Sequence, residues 1–550
     1  MPTGGKDGPA GGEEGGWAGR LRRPETALPL ALVAVAEAVL LGTGASLQWQ
    51  WPVLYLALVA PLTPLARDAG AFFQGGLGAA DADTGKGFCV LSASAFISWI
   101  FAKSVYNAAV LGGKFGIVGG LGYAAWYTSF FSAAIVCYRL RVKCGFKSLP
   151  EAINARYGKL ACLSFFLVVL YRLFNEVWSN AIVVASFYGE PQTASWYAAA
   201  CISVAVPAVY ITIGGLRSSL LSDTIQAGLA VVLLIVVLAV VLPTAAAPVG
   251  SWNPVAGRAM WSLEGGLDLL LVGLLQGCLS YPFFDPVLTD RAFLAEPRTM
   301  LRAFCAGGAL AAAFIVGFST LGIFGNMEAA LGGGDGPAPA GLAKGQPVAV
   351  AKHFGTGVFS VVNIIMLTSS ISTLDSTFSS VSKLAGPEVL SFLRTGKPGT
   401  VDAASGREVL VGRLAVVGLA VAGTLPLLAN PTALSATTIS GTIVMGLGPP
   451  VLLLEHLPAG CYRPLAFHLP LWSGVALGVC YQVAGHWPGA VDLSALAVGA
   501  GSYGKLLGVN LLGTGLAFAL CAAGSLLVPF RAAGAAGAKG NGAGVALDAI

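Results

Sequence analysis

The chain has 550 residues, of which 56% are hydrophobic and only 10% are charged, whereas about a quarter of the residues in an average soluble domain are charged. Its net charge of +5 is small for this length, so no nucleic-acid-binding surface is predicted. Apolar runs of about 20 residues recur from Ala27 to Phe530, each long enough to cross a bilayer. The composition therefore predicts an all-α polytopic membrane protein, embedded in lipid. It excludes an ordinary soluble protein and a β-barrel, whose strands would alternate polar and apolar residues.

Hydropathy predicts about 14 transmembrane helices. In chain order they are 27–47, 51–66, 88–111, 116–138, 161–187, 195–213, 220–243, 267–286, 302–325, 352–380, 411–429, 433–455, 466–486 and 504–530. The first helix is expected to be retained, because no small-residue cleavage site follows it. The predicted regions are a disordered tail (1–26), two extra helices with a loop (27–87), two halves of a ten-helix core (88–243 and 244–455), two C-terminal helices (456–530) and a disordered tail (531–550). Two five-helix halves of opposite topology form a common transporter plan.

The basic residues predict the orientation. With the N-terminus inside, most of the 31 Lys and Arg residues fall in cytoplasmic segments, as the positive-inside rule requires. The external segments keep only Lys114, Arg258, Lys344, Lys352 and Lys505. We therefore expect both termini in the cytoplasm and, for a protein of this kind, a location in the plasma membrane.

The cysteines and histidines predict neither a metal centre nor an enzyme. The ten Cys lack CxxC or Cys/His spacing, and the four His are scattered singly. A membrane-embedded enzyme would need a group of His and carboxylates, or of Ser and His, at one depth. We expect no enzymatic activity and no organic cofactor.

The segment Gly214–Gln226 places an ionisable residue, Asp223, about one turn inside an apolar run. A carboxylate at membrane depth costs roughly 2.5–3.5 kcal/mol on insertion scales, so Asp223 is expected to be functional. The alternative is a carboxylate at a helix N-terminus, favoured only by the helix dipole.

Four segments together resemble the sodium/solute symporter family, whose members have a LeuT-like fold. They are Leu91–Trp99 running to Gly112–Gly116, Ser148–Glu151 with Arg156–Gly158, Gly214–Gln226, and Thr368–Ser376. They occur in the family's order at the expected helices. The resemblance implies a LeuT-like 5+5 inverted-repeat core with flanking helices, in which the first core helix is unwound near its middle.

The resemblance also implies a sodium site between the first and eighth core helices. The matching positions are Ala95, Ser98, Ser369, Ser372 and Thr373. Sodium is a hard cation that suits the carbonyl and hydroxyl oxygens of such a site. The alternative is that these Ser and Thr residues only pack helices and bond to the preceding turn.

Two carboxylates are candidates for an ion path. Asp223 matches a family Asp that is placed on the inward sodium exit path, and Asp375 on the eighth helix could contribute similarly. Asp375 departs from the pattern, because the family often has Ala, Ser or Cys at this position.

Further departures concern the solute site. Lys103 lies within the first core helix, shortly after the unwound segment, with Glu176 as a possible partner. Lys103 either binds an anionic solute group or replaces a coupling cation, or it forms a structural pair with Glu176 or snorkels outward. Asn107, with Trp99, resembles the first helix of fungal and plant urea symporters.

The end of the sixth core helix is expected to form a gate. Tyr281 falls where relatives have an inner gating aromatic residue, and Arg291 matches a terminal Arg of the family. Pro282 and Pro286 should break the helix. The pair Asp285-Pro286 replaces the usual Asn-Gln, so the solute cannot be carried over from sugar or proline carriers.

These features predict a secondary active transporter that couples sodium to a small polar solute by alternating access. The alternatives are a non-transporting solute sensor of the same fold and a proton-coupled, urea-like symporter. A sensor would need an output domain, which the short loops do not provide.

Overall fold

A computed structural model of the chain describes residues 24–59, 61, 63, 65–66, 68–75, 85–244, 259–331, 340–399, 406–429, 440–458, 461–487 and 489–526. The expected disorder of 531–550 and of most of the N-terminal tail concerns residues outside these ranges. No β-strand occurs in the ranges given. The division into two halves at 243 and 244 stays a prediction.

The helices are numbered in chain order. They are α1 (Pro24–Gly42), α2 (Leu47–Val59), α3 (Ala69–Phe73), α4 (Gly85–Ser98), α5 (Ala102–Phe115), α6 (Ile117–Ala124), α7 (Ser129–Val142), α8 (Leu149–Tyr157), α9 (Lys159–Ala185), α10 (Ala194–Val241), α11 (Asp268–Leu279), α12 (Tyr281–Phe284), α13 (Pro286–Arg291), α14 (Pro297–Leu331), α15 (Ala340–Ala343), α16 (Pro347–His353), α17 (Thr356–Lys383), α18 (Ser391–Thr395), α19 (Gly406–Ala422), α20 (Gly448–Leu452), α21 (Pro464–His486) and α22 (Gly504–Leu526).

Several of these helices can span a bilayer. In the part of the chain that the structure describes, 7 helices are long and apolar enough, or 8 if α4 and α5 count as one bent span. Large apolar side chains such as Leu167, Val232 and Leu414 are exposed on their outer faces, where lipid would contact them. The chain is therefore an all-α, multi-pass membrane protein, as the composition predicted. The total of about 14 spans stays a prediction.

The first core helix is interrupted between α4 and α5. The two halves meet at an angle of 61°. At the break, the Trp99 N–H donates to the Phe96 carbonyl at 3.3 Å and the Ile100 N–H to the Ile97 carbonyl at 3.0 Å, so the usual i+4 pattern is lost. Phe101 is extended, with ψ 140°. The unwound segment that the resemblance implies is present at residues 99–101.

Helix α10 combines two predicted spans. It has 48 residues, about 72 Å at 1.5 Å per residue, which is more than twice the hydrocarbon thickness. Gly215 divides it into two helical parts, because its dihedral angles, φ 58° and ψ −147°, are not helical. Glycine suits this position, since a residue with a Cβ rarely adopts such a conformation. A Cβ there would also collide with the Phe72 carbonyl of α3. Residues 214–219, which lie between the predicted spans 195–213 and 220–243, are therefore helical except at the single kinked residue Gly215.

The sixth core helix is broken twice, as the prolines predicted. Ser280 (φ −139°) separates α11 from α12, and Asp285 (ψ 101°) separates α12 from α13. The Asp285 side chain then accepts from the Val287 N–H at 3.0 Å and so caps α13. The helical path extends to Arg291, beyond the predicted end at residue 286.

Close helix packing brings these breaks together. Helix α14 packs along α4 and α5, and α17 packs against both α10 and α9. Gly112 and Gly322 allow α5 and α14 to approach closely, since a Cβ on either would collide with a carbonyl of the other helix. On α17, residues 368–377 are completely buried.

Candidate functional site

A buried group of hydroxyls and charges connects α4, α10, α13 and α17. We call it the carboxylate cluster, and its members are Ser94, Ser98, Tyr210, Ser219, Ser222, Asp223, Arg291, Ser372, Asp375 and Ser376. Each side chain is at most 2% exposed. The cluster lies beside the break between α4 and α5, because Ser98 is the last residue of α4.

Asp223 contacts polar side chains from three other helices. Its Oδ2 accepts from Ser94 at 2.6 Å and from Ser98 at 3.2 Å, and its Oδ1 accepts from Ser372 at 2.7 Å. The Arg291 guanidinium pairs with Oδ2 at 3.1 Å. Asp223 is therefore the point at which α4, α13 and α17 are tied to α10. The alternative, in which Asp223 is favoured only by the dipole of its own helix, does not account for these long-range contacts.

Arg291 is the cation of the cluster. Its Nε donates to Ser94 at 2.8 Å, and its Nη2 donates to Ser376 at 2.7 Å. Its Nη1 donates to the Val287 carbonyl at 2.9 Å. Sequence reasoning matched Arg291 to a family position but did not identify it as the partner of Asp223. The sequence feature that pointed to such a role is the position of this Arg, about one turn beyond Pro286 at the end of an apolar span.

Asp375 has hydroxyl partners only. It accepts hydrogen bonds from Tyr210 (2.6 Å), Ser222 (2.8 Å), Ser219 (2.8 Å) and Ser376 (3.1 Å). In the described residues no Lys, Arg or His forms an ion pair with it. Ser219 also approaches Asp223 at 3.5 Å, so this hydroxyl lies between the two carboxylates.

The five residues of the predicted sodium site are partly brought together. Ser98 and Ser372 both donate to Asp223, and Ser98 also accepts from Ser376 at 2.9 Å. Among the residues that the structure describes, the buried side-chain hydroxyls of Ser369 and Thr373 have no hydrogen-bond partner. These two hydroxyls, on the same helix as Ser372, are oxygen ligands of the kind that sodium binds.

Backbone oxygens are available at the same place. In a regular helix the Ala95 and Ser98 carbonyls would accept from the N–H groups of residues 99 and 102. The Trp99 N–H instead bonds Phe96, and no backbone hydrogen bond from residue 102 to Ser98 occurs in this part of the structure. Arg291 lies close to this position through its bond to Ser94.

A second buried group lies at the two helix breaks. Lys103, Arg172, Glu176 and Asp285 form it, and we call it the charge network. Lys103 and Arg172 both pair with Glu176, and Arg172 also pairs with Asp285 at 2.8 Å. All four side chains are at most 1% exposed. Two cations and two carboxylates make the network neutral, with each charge paired.

The surroundings hold Glu176 and Lys103 in place. Asn180 donates to Glu176 Oε2 at 2.9 Å, and Lys103 Nζ donates to Ser179 at 3.1 Å. Of the alternatives for Lys103, outward snorkelling is wrong, since the side chain is 0% exposed and paired. The pairing with Glu176 is the geometry observed.

Aromatic rings enclose the charge network. The Tyr281 ring lies 5.7 Å from the Trp99 ring and 5.1 Å from the Phe284 ring. The Arg172 guanidinium lies 5.4 Å from the Tyr281 ring and 5.2 Å from the Phe101 ring, within cation–π range. Tyr281, predicted as a gating residue, thus covers the network at 2% exposure.

Three buried donors in this region have no hydrogen-bond partner within the described part of the chain. They are Trp99 Nε1, Asn107 Nδ2 and Arg172 Nε. Asn107 lies one turn after Lys103 on α5, and no hydrogen bond joins it to the charge network in the described residues. Buried donors are rarely left unsatisfied, so these atoms are available to a hydrogen-bond acceptor.

A polar cavity of about 840 Å³ opens near the end of α17. Lys383, Asp290, Glu388 and Arg141 line it, and Lys383 pairs with Asp290 at 2.6 Å. Asp290 adjoins Arg291, and Lys383 follows Ser376 by two helical turns. The cavity therefore lies along the helices that carry the carboxylate cluster, on the side predicted to be cytoplasmic.

Comparison with solved structures supports the fold. A Na⁺-coupled sialic acid symporter in a substrate-bound outward-open state is similar over 88% of this chain and 97% of its own, with TM-score 0.61 and 14% identity. Mhp1, a nucleobase-cation-symport-1 family transporter, covers 80% of this chain and 91% of its own, with TM-score 0.47 and 13% identity. A mutant of the Eremococcus coleocola manganese transporter is similar over 80% of this chain and 94% of its own, with TM-score 0.47 and 14% identity. No protein-family model and no curated protein matches the sequence. The fold is LeuT-like.

Proposed function

We propose that the protein is a secondary active transporter that moves a small polar solute together with sodium by alternating access. The observation that carries this proposal is the pair of buried polar sites at two interrupted helices. In transporters of inverted-repeat design, broken helices hold solute and ions near the membrane midplane. We further propose membership of the sodium/solute symporter family, supported by the LeuT-like fold and the four sequence segments.

The proposed sodium site comprises Ala95, Ser98, Ser369, Ser372 and Thr373. It is supported by the interrupted backbone at 99–101 and by the unpartnered hydroxyls of Ser369 and Thr373. Sodium would take the oxygens of these residues as ligands. The ion path would then pass Asp223 and Asp375 towards the polar cavity at Lys383.

The proposed solute site comprises Lys103, Asn107, Glu176 and Tyr281. Since the charges of the network already balance one another, the site favours a solute without net charge. An added charge in a buried neutral network would remain uncompensated. The unpartnered donors Trp99 Nε1 and Asn107 Nδ2 favour a solute with hydrogen-bond acceptors.

A thermal-shift screen of the purified protein against small solutes, with and without sodium, tests the proposal. A ligand that binds only the folded state raises its stability by about 2.7 kcal/mol at a hundredfold excess over Kd. We expect a neutral solute to raise the melting temperature more in sodium than in choline. The solute found should then accumulate in proteoliposomes with an inward sodium gradient; binding without uptake would instead indicate a sensor.

The sodium site predicts a specific defect. Replacing Ser372 and Thr373 by Ala together should raise the sodium concentration for half-maximal uptake roughly tenfold, a loss of about 1.4 kcal/mol, because two hydroxyl ligands are removed. The control is Ser360→Ala on the exposed part of the same helix, where the Ser360 hydroxyl donates to the Thr356 carbonyl one turn earlier. Sodium dependence identical in the double variant and the control would remove this assignment.

The proposed orientation predicts which sites are accessible from outside. A cysteine introduced at Asn541, which lies outside the described residues, should not react with an impermeant maleimide in intact cells. A cysteine at Asp492, an exposed residue between α21 and α22, should react, because this loop is predicted to be external. The unaltered protein gives the background of the native cysteines. Labelling of the cysteine at position 541 but not of the cysteine at position 492 would show that the orientation in the membrane is opposite to the one proposed.

A further inference from the structure

The outer surface of the molecule carries a groove between three helical walls. The walls are residues 167–174 of α9, residues 381–393 from the end of α17 into α18, and residues 411–422 of α19. We call it the apolar groove, because among the described residues that line it Tyr171 alone has a polar side-chain atom. Its volume is about 790 Å³, which is within the roughly 300–1,000 Å³ of typical ligand sites. The groove is therefore large enough and apolar enough for a hydrocarbon ligand.

The apolar groove is open to the lipid bilayer. Its walls belong to three segments that are long and apolar enough to cross a membrane. The Leu167 and Leu393 side chains are 57% and 68% exposed along it. An acyl chain can therefore enter the groove without passing through water. Because lipid tails are as apolar as the groove, burial alone does not select one lipid over another. Any selectivity must come from polar groups at an end of the groove.

Each wall of the groove continues into one basic residue. The α9 wall begins two helical turns after Lys159, and the α19 wall begins one turn after Arg407. In the third wall, Arg394 follows Leu390 by one turn. Residues four apart on a helix are neighbours on one face, so each cation extends a face that lines the groove. All three side chains are exposed, and we call them the basic triad.

The basic triad lies at one end of the groove. Lys159 reaches the end of α18, since a Cβ on Gly396 would lie 2.9 Å from its Nζ. The start of α19 packs against the same segment, since a Cβ on Gly386 would lie 2.9 Å from the carbonyl of Glu408, the neighbour of Arg407. In the part of the chain that the structure describes, none of the three cations forms an ion pair. This end is on the side predicted to be cytoplasmic.

A positive end on an apolar groove suits an anionic phospholipid. The cytoplasmic leaflet contains such lipids, and each Lys or Arg near its surface strengthens binding roughly fivefold. Lys and Arg also form charge-assisted hydrogen bonds with phosphate. A second copy of the chain is a poorer occupant, because a two-fold axis along the membrane normal would bring the two basic triads together. Charge complementarity therefore favours a lipid.

We propose that the apolar groove and its basic triad bind one anionic phospholipid of the cytoplasmic leaflet. An acyl chain packs between the three walls, and the lipid phosphate lies among Lys159, Arg394 and Arg407. The bound lipid connects α9, which carries Arg172 and Glu176 of the charge network, with α17 and α19. Because it binds the packed arrangement of these helices, it stabilises the folded protein. The proposal goes beyond the transport function and does not rest on it.

The headgroup contacts are tested with the full-length protein in detergent, freed of native lipid. Dioleoyl phosphatidylglycerol should raise the thermal midpoint and stay bound in native mass spectra. Dioleoyl phosphatidylcholine and inorganic phosphate at the same concentration should have little effect. The triple variant Lys159→Gln, Arg394→Gln, Arg407→Gln should bind phosphatidylglycerol about a hundredfold more weakly, since each cation contributes roughly fivefold. Without added lipid, its midpoint should equal that of the unaltered protein.

A charge-matched variant controls for net charge. Lys143→Gln, Arg298→Gln and Arg302→Gln together remove three exposed cations that do not line the groove. This variant should bind phosphatidylglycerol as tightly as the unaltered protein. An equal loss of affinity in the two triple variants would contradict the proposal, because the total charge rather than the site would then determine binding.

The acyl-chain contacts are tested by filling the groove. In the structure a Cβ on Gly418 meets no atom within 4 Å, so Gly418→Phe can place its ring in the groove without a clash. We expect it to weaken phosphatidylglycerol binding at least severalfold. The control is Gly228→Phe on α10, where a Cβ likewise has open space but lies outside the groove. Unchanged affinity in Gly418→Phe would show that the acyl chain does not occupy the groove.

The unaltered protein alone can also decide the proposal. Equal shifts of the midpoint with phosphatidylglycerol and phosphatidylcholine would refute selection of an anionic headgroup. An equal shift with inorganic phosphate would assign the basic triad to a free anion instead of a lipid. A lipid-free dimer in native mass spectra that Gly418→Phe dissociates would make the groove a subunit interface. These measurements need neither sodium nor a solute, so failure of the transport proposal leaves their outcome unaffected.

Discussion

Replacing Glu176 by Gln should destabilise the protein by roughly 3–5 kcal/mol. Glu176 is the shared partner of Lys103 and Arg172, and all three side chains are at most 1% exposed. Its neutralisation leaves two buried cations facing the single carboxylate of Asp285. The loss should appear as a lower thermal midpoint of the purified protein in detergent.

Replacing Lys103 by Met should cost less than replacing Glu176. In that variant Glu176 still pairs with Arg172, and Arg172 still pairs with Asp285 at 2.8 Å. The double variant Lys103→Met, Glu176→Gln should recover much of the loss, because it removes one charge of each sign and returns the network to neutrality. A large favourable coupling energy in this double-mutant cycle is the expected result.

A pair with one exposed partner on the same protein provides the comparison. Lys143 lies 3.6 Å from Glu455; the Lys143 side chain is 61% exposed and that of Glu455 is 7% exposed. Glu455 also pairs with Arg139 at 2.9 Å, so it keeps a cation when Lys143 is replaced. The corresponding cycle, Lys143→Met with Glu455→Gln, should give a coupling of about 0–1 kcal/mol. Equal couplings for the two pairs would contradict the burial argument. If the double variant at Lys103 and Glu176 transports the solute normally, Lys103 has no role in solute binding.

Replacing Arg291 by Met should also destabilise the protein by roughly 3–5 kcal/mol. The change leaves Asp223 and Asp375 within one buried cluster without a cation. It also removes the donors to Ser94 and Ser376, which connect α13 to α4 and α17. The thermal midpoint of the purified protein should therefore fall.

Two further variants identify the cause of that loss. Arg291→Lys keeps the charge but not the guanidinium geometry, so it should recover only part of the stability. Asp223→Asn combined with Arg291→Met should recover more, because it removes the carboxylate that Arg291 balances. The control, Arg394→Met at an exposed position of α18, should change stability by no more than about 0.5 kcal/mol. A loss in the double variant as large as the sum of the single losses would show that the ion pair is not the cause.

Composition and local pattern determined the class of fold. Apolar runs long enough for a bilayer predict helices, because only internally hydrogen-bonded structures satisfy the backbone in lipid. The break around Pro282 and Pro286 was likewise predictable, since proline lacks the N–H that continues a helix. Asp223 was identified as a candidate functional residue from its position in the sequence alone, because a carboxylate within an apolar run is costly at membrane depth.

Only the tertiary structure decided which partners these residues have. Arg291 and Asp223 are 68 residues apart, and Asp223 and Ser372 are 149 residues apart. Nothing local in the chain specifies such pairs, because they depend on how several helices pack. The conformation of residues 214–219 likewise depends on helix packing. Their composition is typical of a loop, yet they contact α3 and α17 and are helical except at Gly215. The same packing places the only guanidinium of the carboxylate cluster, that of Arg291, against Asp223 rather than against Asp375.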